Sequence, residues 1–426
     1  MILELWMVGV VIAFLLLIRV PVGLAFIGPS LWYSLADGSS SGFALKTTFD
    51  GLNSFPLLAV PLFILVGVLA NRLGIADRLY EFCLAALGRV RGNLAYVNIG
   101  SAVGFSWMSG SALADVAGLG KMQIPHMVRA GYPYGFSSGL TAASSLISPV
   151  MPPSIPAVIY AATATVSTGA LFAASVIPAL LMAFGLCVYV FIWTARRPEL
   201  TSVPFDRRRF SKAALNALGP GFTPVVLLGG ILSGTFTPTE AASVAVLYML
   251  VLGIVYRTAS PRLLLQSLRE TAVITGGIAL ILGAAALLGL ILTRANVSRD
   301  VAEFLTSVSD SPIVFMLLVN LILLVLGALI DATAVILVTV PVLLPIAMDL
   351  GIDPVYFGVV MIINLMIGLL TPPVGSVLYI TSSVTGKPVD VVFRGVAPFL
   401  VPLVGVLILI SMFPAISLWL PGLLGF

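Results

Sequence analysis

The stretch Ser148-Pro149-Val150-Met151-Pro152-Pro153-Ser154 interrupts one apolar run of the chain. Gly368-Leu369-Leu370-Thr371-Pro372-Pro373-Val374 interrupts another, about 220 residues later. Consecutive prolines remove backbone donors and forbid a continuous helix, so both runs read as broken spans. The repetition extends outward from these two points. Pro125, Gly131 and Pro178 recur as Pro345, Gly351 and Pro398 in the same register, while Arg72, Glu81 and Phe82 recur as Arg294, Glu303 and Phe304, two residues out of it. In a membrane chain, two copies carrying matched helix interruptions point to a secondary transporter with its site between the repeats.

Composition supplies the membrane. Of 426 residues, 60% are hydrophobic and 9% charged, with a mean hydropathy of +1.15. Apolar runs of this density exceed what a soluble core can use. The net charge of +4 lies in loops, without the basic stripe and interleaved aromatics of a nucleic-acid surface. Cys83 and Cys187 share no metal-ligand spacing and read as membrane packing. A single histidine, His126, cannot form a histidine metal site or a catalytic triad by itself. The stretch from Met1 to Leu17 carries Glu4 and no basic leader region, so it reads as a retained span.

At about 20 residues per crossing, spans fall at 4–19 and 21–36, broken at Pro21, and at 52–70. Residues 93–130 are too long for one helix and carry the polar tip Ser109-Gly110-Ser111, as expected of a re-entrant hairpin. A broken helix at 133–166 and a span at 170–195 complete the first copy, residues 1–200. Residues 201–216 read as a cytoplasmic linker. The second copy, 217–426, has scaffold spans within 217–256, a span at 271–293, a hairpin at 312–349 with its tip at 327–333, a broken helix at 354–385 and a last span at 396–420. Residues 257–270 read as an interfacial amphipathic helix, with a weaker partner at 36–48.

Five crossings plus one hairpin per copy force the second copy into the membrane upside down. The cations test this independently. With the N-terminus outside, 17 of the 21 Lys and Arg residues fall in cytoplasmic loops; Lys46, Arg294 and Arg299 fall outside, and Arg19 lies in a span. The positive-inside rule therefore predicts both termini on the periplasmic side.

Unwound backbone at membrane depth survives only where it is buried in protein or lines a cavity. Here the interruptions carry Ser109, Ser111, Ser144, Ser145 and Ser148 in the first copy, and Asp331, Thr333, Asn364 and Thr371 in the second. Hydroxyls, freed carbonyls and a carboxylate are hard donors for a small cation, while helix N-termini beyond each break suit a carboxylate. The same residues also serve as glue between helices. A carboxylate at span depth, Asp331, points to an ion site. Asp115 reads first as a helix cap and Glu240 as structural; Arg19 reads as snorkelling. Trp107, beside the first tip, is a candidate to line the site.

Several stretches together resemble the large membrane subunit of tripartite ATP-independent periplasmic (TRAP) transporters, the DctM-like family, over essentially the whole length. They are Phe55-Pro56-Leu57-Leu58-Ala59-Val60-Pro61-Leu62-Phe63, Ser109-Gly110-Ser111-Ala112, Pro152-Pro153-Ser154-Ile155-Pro156, Gly234-Thr235-Phe236-Thr237-Pro238-Thr239-Glu240-Ala241-Ala242 and Leu370-Thr371-Pro372-Pro373-Val374-Gly375. The resemblance implies an all-α polytopic membrane protein with an inverted-repeat elevator fold, two re-entrant hairpins and two broken helices. It implies sodium-driven import of a small organic acid across the bacterial inner membrane. Substrate would come from a periplasmic binding protein, beside a small four-span membrane subunit, expected as a separate polypeptide, and the membrane lipids. By position, the implied sodium ligands are Ser109, Ser111, Ser148 and Pro149 at one site and Gly327, Asp331, Thr333, Gly368 and Thr371 at the other. The substrate would meet Ser109, Gly110, Ser144, Ser145, Pro152, Asn364, Thr371 and Pro372.

Besides Arg19, no fixed positive charge is expected in the cavity. ATP is not expected either, since no Gly-Lys-Ser/Thr phosphate loop occurs. The alternatives are a self-sufficient sodium/dicarboxylate-type carrier, which needs no binding protein, and an intramembrane enzyme. A protease would need a Ser-His pair, an aspartate pair or a zinc motif. A scaffold would need no polar broken helices.

Overall fold

In a computed structural model that describes residues 2–18, 20–38, 40–53, 55–197, 200, 205–308 and 311–426, the chain is helical, with no strand among those residues. Seven of the described helices are long and apolar enough to cross a membrane, and Pro56–Arg72 with Ile75–Leu87 adds a candidate bent by 64°. Large apolar side chains on their outer faces, such as Phe191, Val401 and Leu321, are more than half exposed. Such surface is stable in hydrocarbon and would be an aggregation patch in water. The chain is a multi-pass membrane protein.

The first copy begins with Ile2–Leu17 and Val22–Ala36, then Ser41–Asp50, Ala59–Arg72 and Ile75–Leu87. Its hairpin is Asn93–Ser109 and Ala112–Arg129; its broken span is Tyr134–Ser145 and Ile155–Ala164; Thr168–Ala195 follows. The second copy repeats the plan: Arg207–Leu232, Pro238–Val255, Pro261–Arg294, Val297–Val308, the hairpin Pro312–Leu329 and Ala332–Asp349, the broken span Pro354–Gly368 and Ser376–Thr385, then Val389–Met412 and Ala415–Leu424.

Contacts are exchanged between the copies as a two-fold axis requires. The second half of hairpin one, Ala112–Arg129, packs on Ser376–Thr385 of the other copy, and Ala332–Asp349 of hairpin two packs on Ile155–Ala164. Likewise Tyr134–Ser145 packs on Val389–Met412, and Pro354–Gly368 on Thr168–Ala195. Inversion follows from one helix. Near the start of Thr168–Ala195, Tyr160 Oη donates to Pro354 O at 2.6 Å, at the base of hairpin two. At its far end, Trp193 stacks on Phe136 with ring centroids 3.7 Å apart, at the base of hairpin one. The helix itself, 28 residues long, rises about 42 Å at 1.5 Å each, more than the ~30 Å hydrocarbon core. The two hairpins therefore enter from opposite ends.

Four features differ from the sequence reading. The stretch 257–270 is not a separate interfacial helix: it runs unbroken into the next span as Pro261–Arg294, 34 residues long. Nothing after its N-terminal Pro261 stops it, whereas in the first copy Gly51 and Pro56 divide Ser41–Asp50 from Ala59–Arg72. The linker shortens, because Asp206 caps a helix from Arg207 by accepting from Arg208 N and Arg209 N; residues 201–204 lie outside the described residues. Ile75–Leu87 and Val297–Val308, too amphipathic or too short to read as spans, form a matched pair. Residues 396–420 are two helices, parted at Phe413 and Pro414.

Cations from both copies gather at one end. Arg72 pairs with Glu270 at 2.7 Å and Arg209 with Glu81 at 3.2 Å, and Arg78 lies 3.7 Å from the Tyr256 ring centroid. Arg19 lies outside the described residues. At the opposite end Thr237 and Glu240 form a reciprocal cap, Thr237 N donating to Glu240 Oε2 at 2.8 Å, a structural role for that acid.

Candidate functional site

Both hairpin tips open onto one cavity of about 790 Å³. Its walls come from the tips (Ser109, Gly110, Ser111; Asp331, Thr333), from the breaks (Pro149, Leu369) and from the scaffold helices Ala59–Arg72 and Pro261–Arg294. It runs toward the cationic end, where Arg72, Lys121 and Glu270 form its mouth. Arg72 and Lys121 thus line the cavity, two fixed cations that composition alone did not reveal. Arg72 is shared out: Nε and Nη2 donate to Glu270 Oε2 at 3.0 and 2.7 Å, and Nη1 to Gln266 Oε1 at 3.1 Å.

The tips are built differently. In the first, Gly110 adopts φ +60°, and a Cβ there would sit 2.7 Å from Pro153 O. Only glycine ends the helix this way and still docks on the break. Ser111 then caps the second half-helix, accepting from Ala114 N at 3.4 Å. In the second tip, Asp331 is the cap, accepting from Thr333 N at 2.9 Å. Docking uses backbone: Val374 N donates to Ala328 O at 3.0 Å, and a Cβ on Gly368 would meet Gly327 C at 2.6 Å.

Asp115 does not cap its helix. It is 2% exposed, accepts a short hydrogen bond from Ser148 Oγ, and leaves Oδ1 buried with no hydrogen-bonding partner. A buried carboxylate oxygen without a donor is costly unless a cation completes it. With the Ser109 and Ser148 hydroxyls nearby, the donors are all oxygen, the set a sodium ion takes. The sequence ranked Asp115 below Asp331 because spacing from the tip suggested a cap. Its contact with the break is a tertiary fact.

The remaining positions divide clearly. Pro149 and Gly110 line the cavity, whereas Ser144, Ser145, Pro152, Asn364, Thr371 and Pro372 do not. Ser144 Oγ donates to Asn98 Oδ1 at 2.7 Å, and Asn98 Nδ2 donates to Gln123 Oε1 and Thr141 Oγ1. In the second copy Asn364 Nδ2 donates to Asn320 Oδ1 at 2.9 Å. Each network ties a hairpin to the first half of its broken span. Ser145 Oγ and Thr371 Oγ1 donate back to helix carbonyls, Ala142 O and Ile367 O. The Pro152-Pro153 pair is buried and Pro372-Pro373 exposed. Trp107 packs against the core rather than the cavity.

Hairpin one meets the scaffold through glycines. A Cβ on Gly67 would lie 3.2 Å from both Cα and O of Ser109, and one on Gly118 would lie 2.6 Å from Asn71 Oδ1.

Residues 9–416 match the family described as tripartite ATP-independent periplasmic transporter, DctM component. The chain is 43% identical over 411 residues to the sialic acid TRAP transporter large permease protein SiaM of Vibrio cholerae serotype O1, covering 96% of each chain. It is 39% identical over 383 residues to the C4-dicarboxylate TRAP transporter large permease protein DctM of Pseudomonas aeruginosa, covering 88% of each. Its fold is similar to the crystal structure of the Alcanivorax borkumensis YdaH transporter, with a TM-score of 0.61 at 18% identity over 87% of each chain. These relatives are transporter proteins and not enzymes. Matched over nearly its whole length and carrying the paired hairpins and broken helices of a transporter, the chain belongs to the DctM family of TRAP transporter large permeases.

Proposed function

We propose that this permease imports a small organic acid across the bacterial inner membrane by sodium symport. A periplasmic binding protein delivers the substrate, and a small four-span subunit braces the permease. The observation that carries the proposal is the cavity joining two opposed hairpin tips, with Asp331 on its wall and Asp115 unsatisfied behind it. Oxygen donors at the tips suit sodium as co-substrate: Ser109, Ser148 and Asp115 at the first, Asp331, Thr333 and the backbone of Gly327, Gly368 and Thr371 at the second. Sialic acid and C4-dicarboxylates, named for two relatives, are both carboxylates and support an organic acid as the substrate.

With the cationic end cytoplasmic, the cavity opens inward and both termini face the periplasm. The hairpins and broken spans, tied together by the Asn98 and Asn320 networks, move as one unit past the scaffold, an elevator step along the Gly67 and Gly118 contacts. Bound sodium supplies positive charge that the tips lack, so substrate binding follows ion binding.

Uptake of succinate and sialic acid by proteoliposomes tests this. The expected result is accumulation that needs an inward sodium gradient, the small subunit and the binding protein. Accumulation undiminished with potassium replacing sodium would overturn the coupling. Accumulation without the binding protein would show a self-sufficient carrier instead.

A further inference from the structure

Arg72 and Arg294 occupy matching places in the two copies, at the ends of Ala59–Arg72 and Pro261–Arg294. Arg72 lines the present mouth of the cavity, its guanidinium paired with Glu270 and donating also to Gln266. The two-fold relation puts Arg294 at the mouth that would form at the opposite end when the cavity opens there. Its surroundings are chemically different.

Accordingly Arg294 makes no ion pair with Asp50, Asp37 or any other acid among the described residues. Its guanidinium lies instead over the face of Phe43, 4.6 Å from the ring centroid. It also lines a separate cavity of about 110 Å³ with Tyr33, Ser34, Asp37 and Ala295. An arginine held against an aromatic face is positioned by its plane while the N–H donors on its edge stay available, the geometry that receives a planar carboxylate.

We infer that Arg294 is the receiving cation of the outward mouth, taking the carboxylate of the incoming organic acid before it reaches the hairpin tips. Arg72 is excused from the mirror-image task because its charge is paired with Glu270, so the anion meets no free cation at that residue of the inner mouth. The inference rests on the transport reading above and assigns it a substrate-contacting residue outside the ion sites.

Two measurements test it. In a background with Cys83 and Cys187 replaced by serine, Ala295→Cys places a thiol beside Arg294. An anionic thiosulfonate reagent is expected to gain about three- to tenfold in rate over a cationic one of similar size, relative to the same ratio in Arg294→Gln. Arg294→Lys is expected to keep the preference. In the proteoliposome assay, Arg294→Gln is expected to lower the initial uptake rate about fivefold or more at equal abundance, while the half-saturating concentration of binding protein stays unchanged. An unchanged reagent ratio, or wild-type uptake by Arg294→Gln, overturns the assignment. A shift only in the half-saturating binding protein concentration also overturns it and makes Arg294 a docking residue. If the wild-type protein is inert in uptake but keeps the reagent preference, the transport reading fails while Arg294 stands as an anion-binding residue.

Discussion

Replacing Asp115 by Asn keeps the shape of the side chain and removes its charge. In the structure one carboxylate oxygen accepts from Ser148 Oγ and the other is buried without a partner. The variant is expected to lose the proposed charge-assisted contact to sodium, worth about 1.5 to 3 kcal/mol, which converts to about a 10- to 150-fold weaker apparent sodium affinity. Asparagine can still accept from Ser148, so insertion and folding are expected to survive, which separates ion binding from stability. The assay is the sodium dependence of uptake in proteoliposomes, checked by the sodium-induced rise in melting temperature of purified protein. Wild-type sodium dependence in both measurements would show that Asp115 does not bind the ion. The buried oxygen would then be completed by something other than the ion.

Asp331→Asn is expected to weaken sodium dependence through the second tip and to cost about 0.5 to 2 kcal/mol of local stability by loosening the cap on Thr333 N, read as faster hydrogen exchange over 332–336. Gly67→Val is expected to slow transport severely while the protein still inserts, because the added atoms meet the Ser109 backbone; transport at the wild-type rate would show that this contact is not crossed in the cycle. Asn98→Leu leaves the side chains of Ser144, Gln123 and Thr141 short of partners and is expected to lower stability by about 1 to 3 kcal/mol. A thermal melt in detergent measures that loss, and an unchanged melting temperature would show that the network does not hold the hairpin to its broken span.

The class of molecule was legible along the chain, because hydrophobic run length and matched interruptions are local properties that survive without knowing any contact. Proline pairs break helices wherever they stand, so both broken spans were legible. The tips were legible too, since Gly110 and the polar residues around it cannot lie in an uninterrupted apolar helix. Helix boundaries were less so: Pro261–Arg294 reads as two elements because its charged first third differs in polarity from the rest, and polarity marks depth rather than a break. Which polar groups share a site depends on the packing of distant helices. Asp115 and Ser148 are 33 residues apart, and nothing local distinguishes an acid that caps its helix from one that turns toward a neighbouring break. Ser144 and Asn364 looked equally fit for substrate until the Ser144 hydroxyl was seen to donate to Asn98 and the Asn364 amide nitrogen to Asn320, both away from the cavity lining. The charge on the cavity walls was hidden for the same reason. Arg72 and Glu270 lie in different copies, and their pairing depends on where two distant helices end.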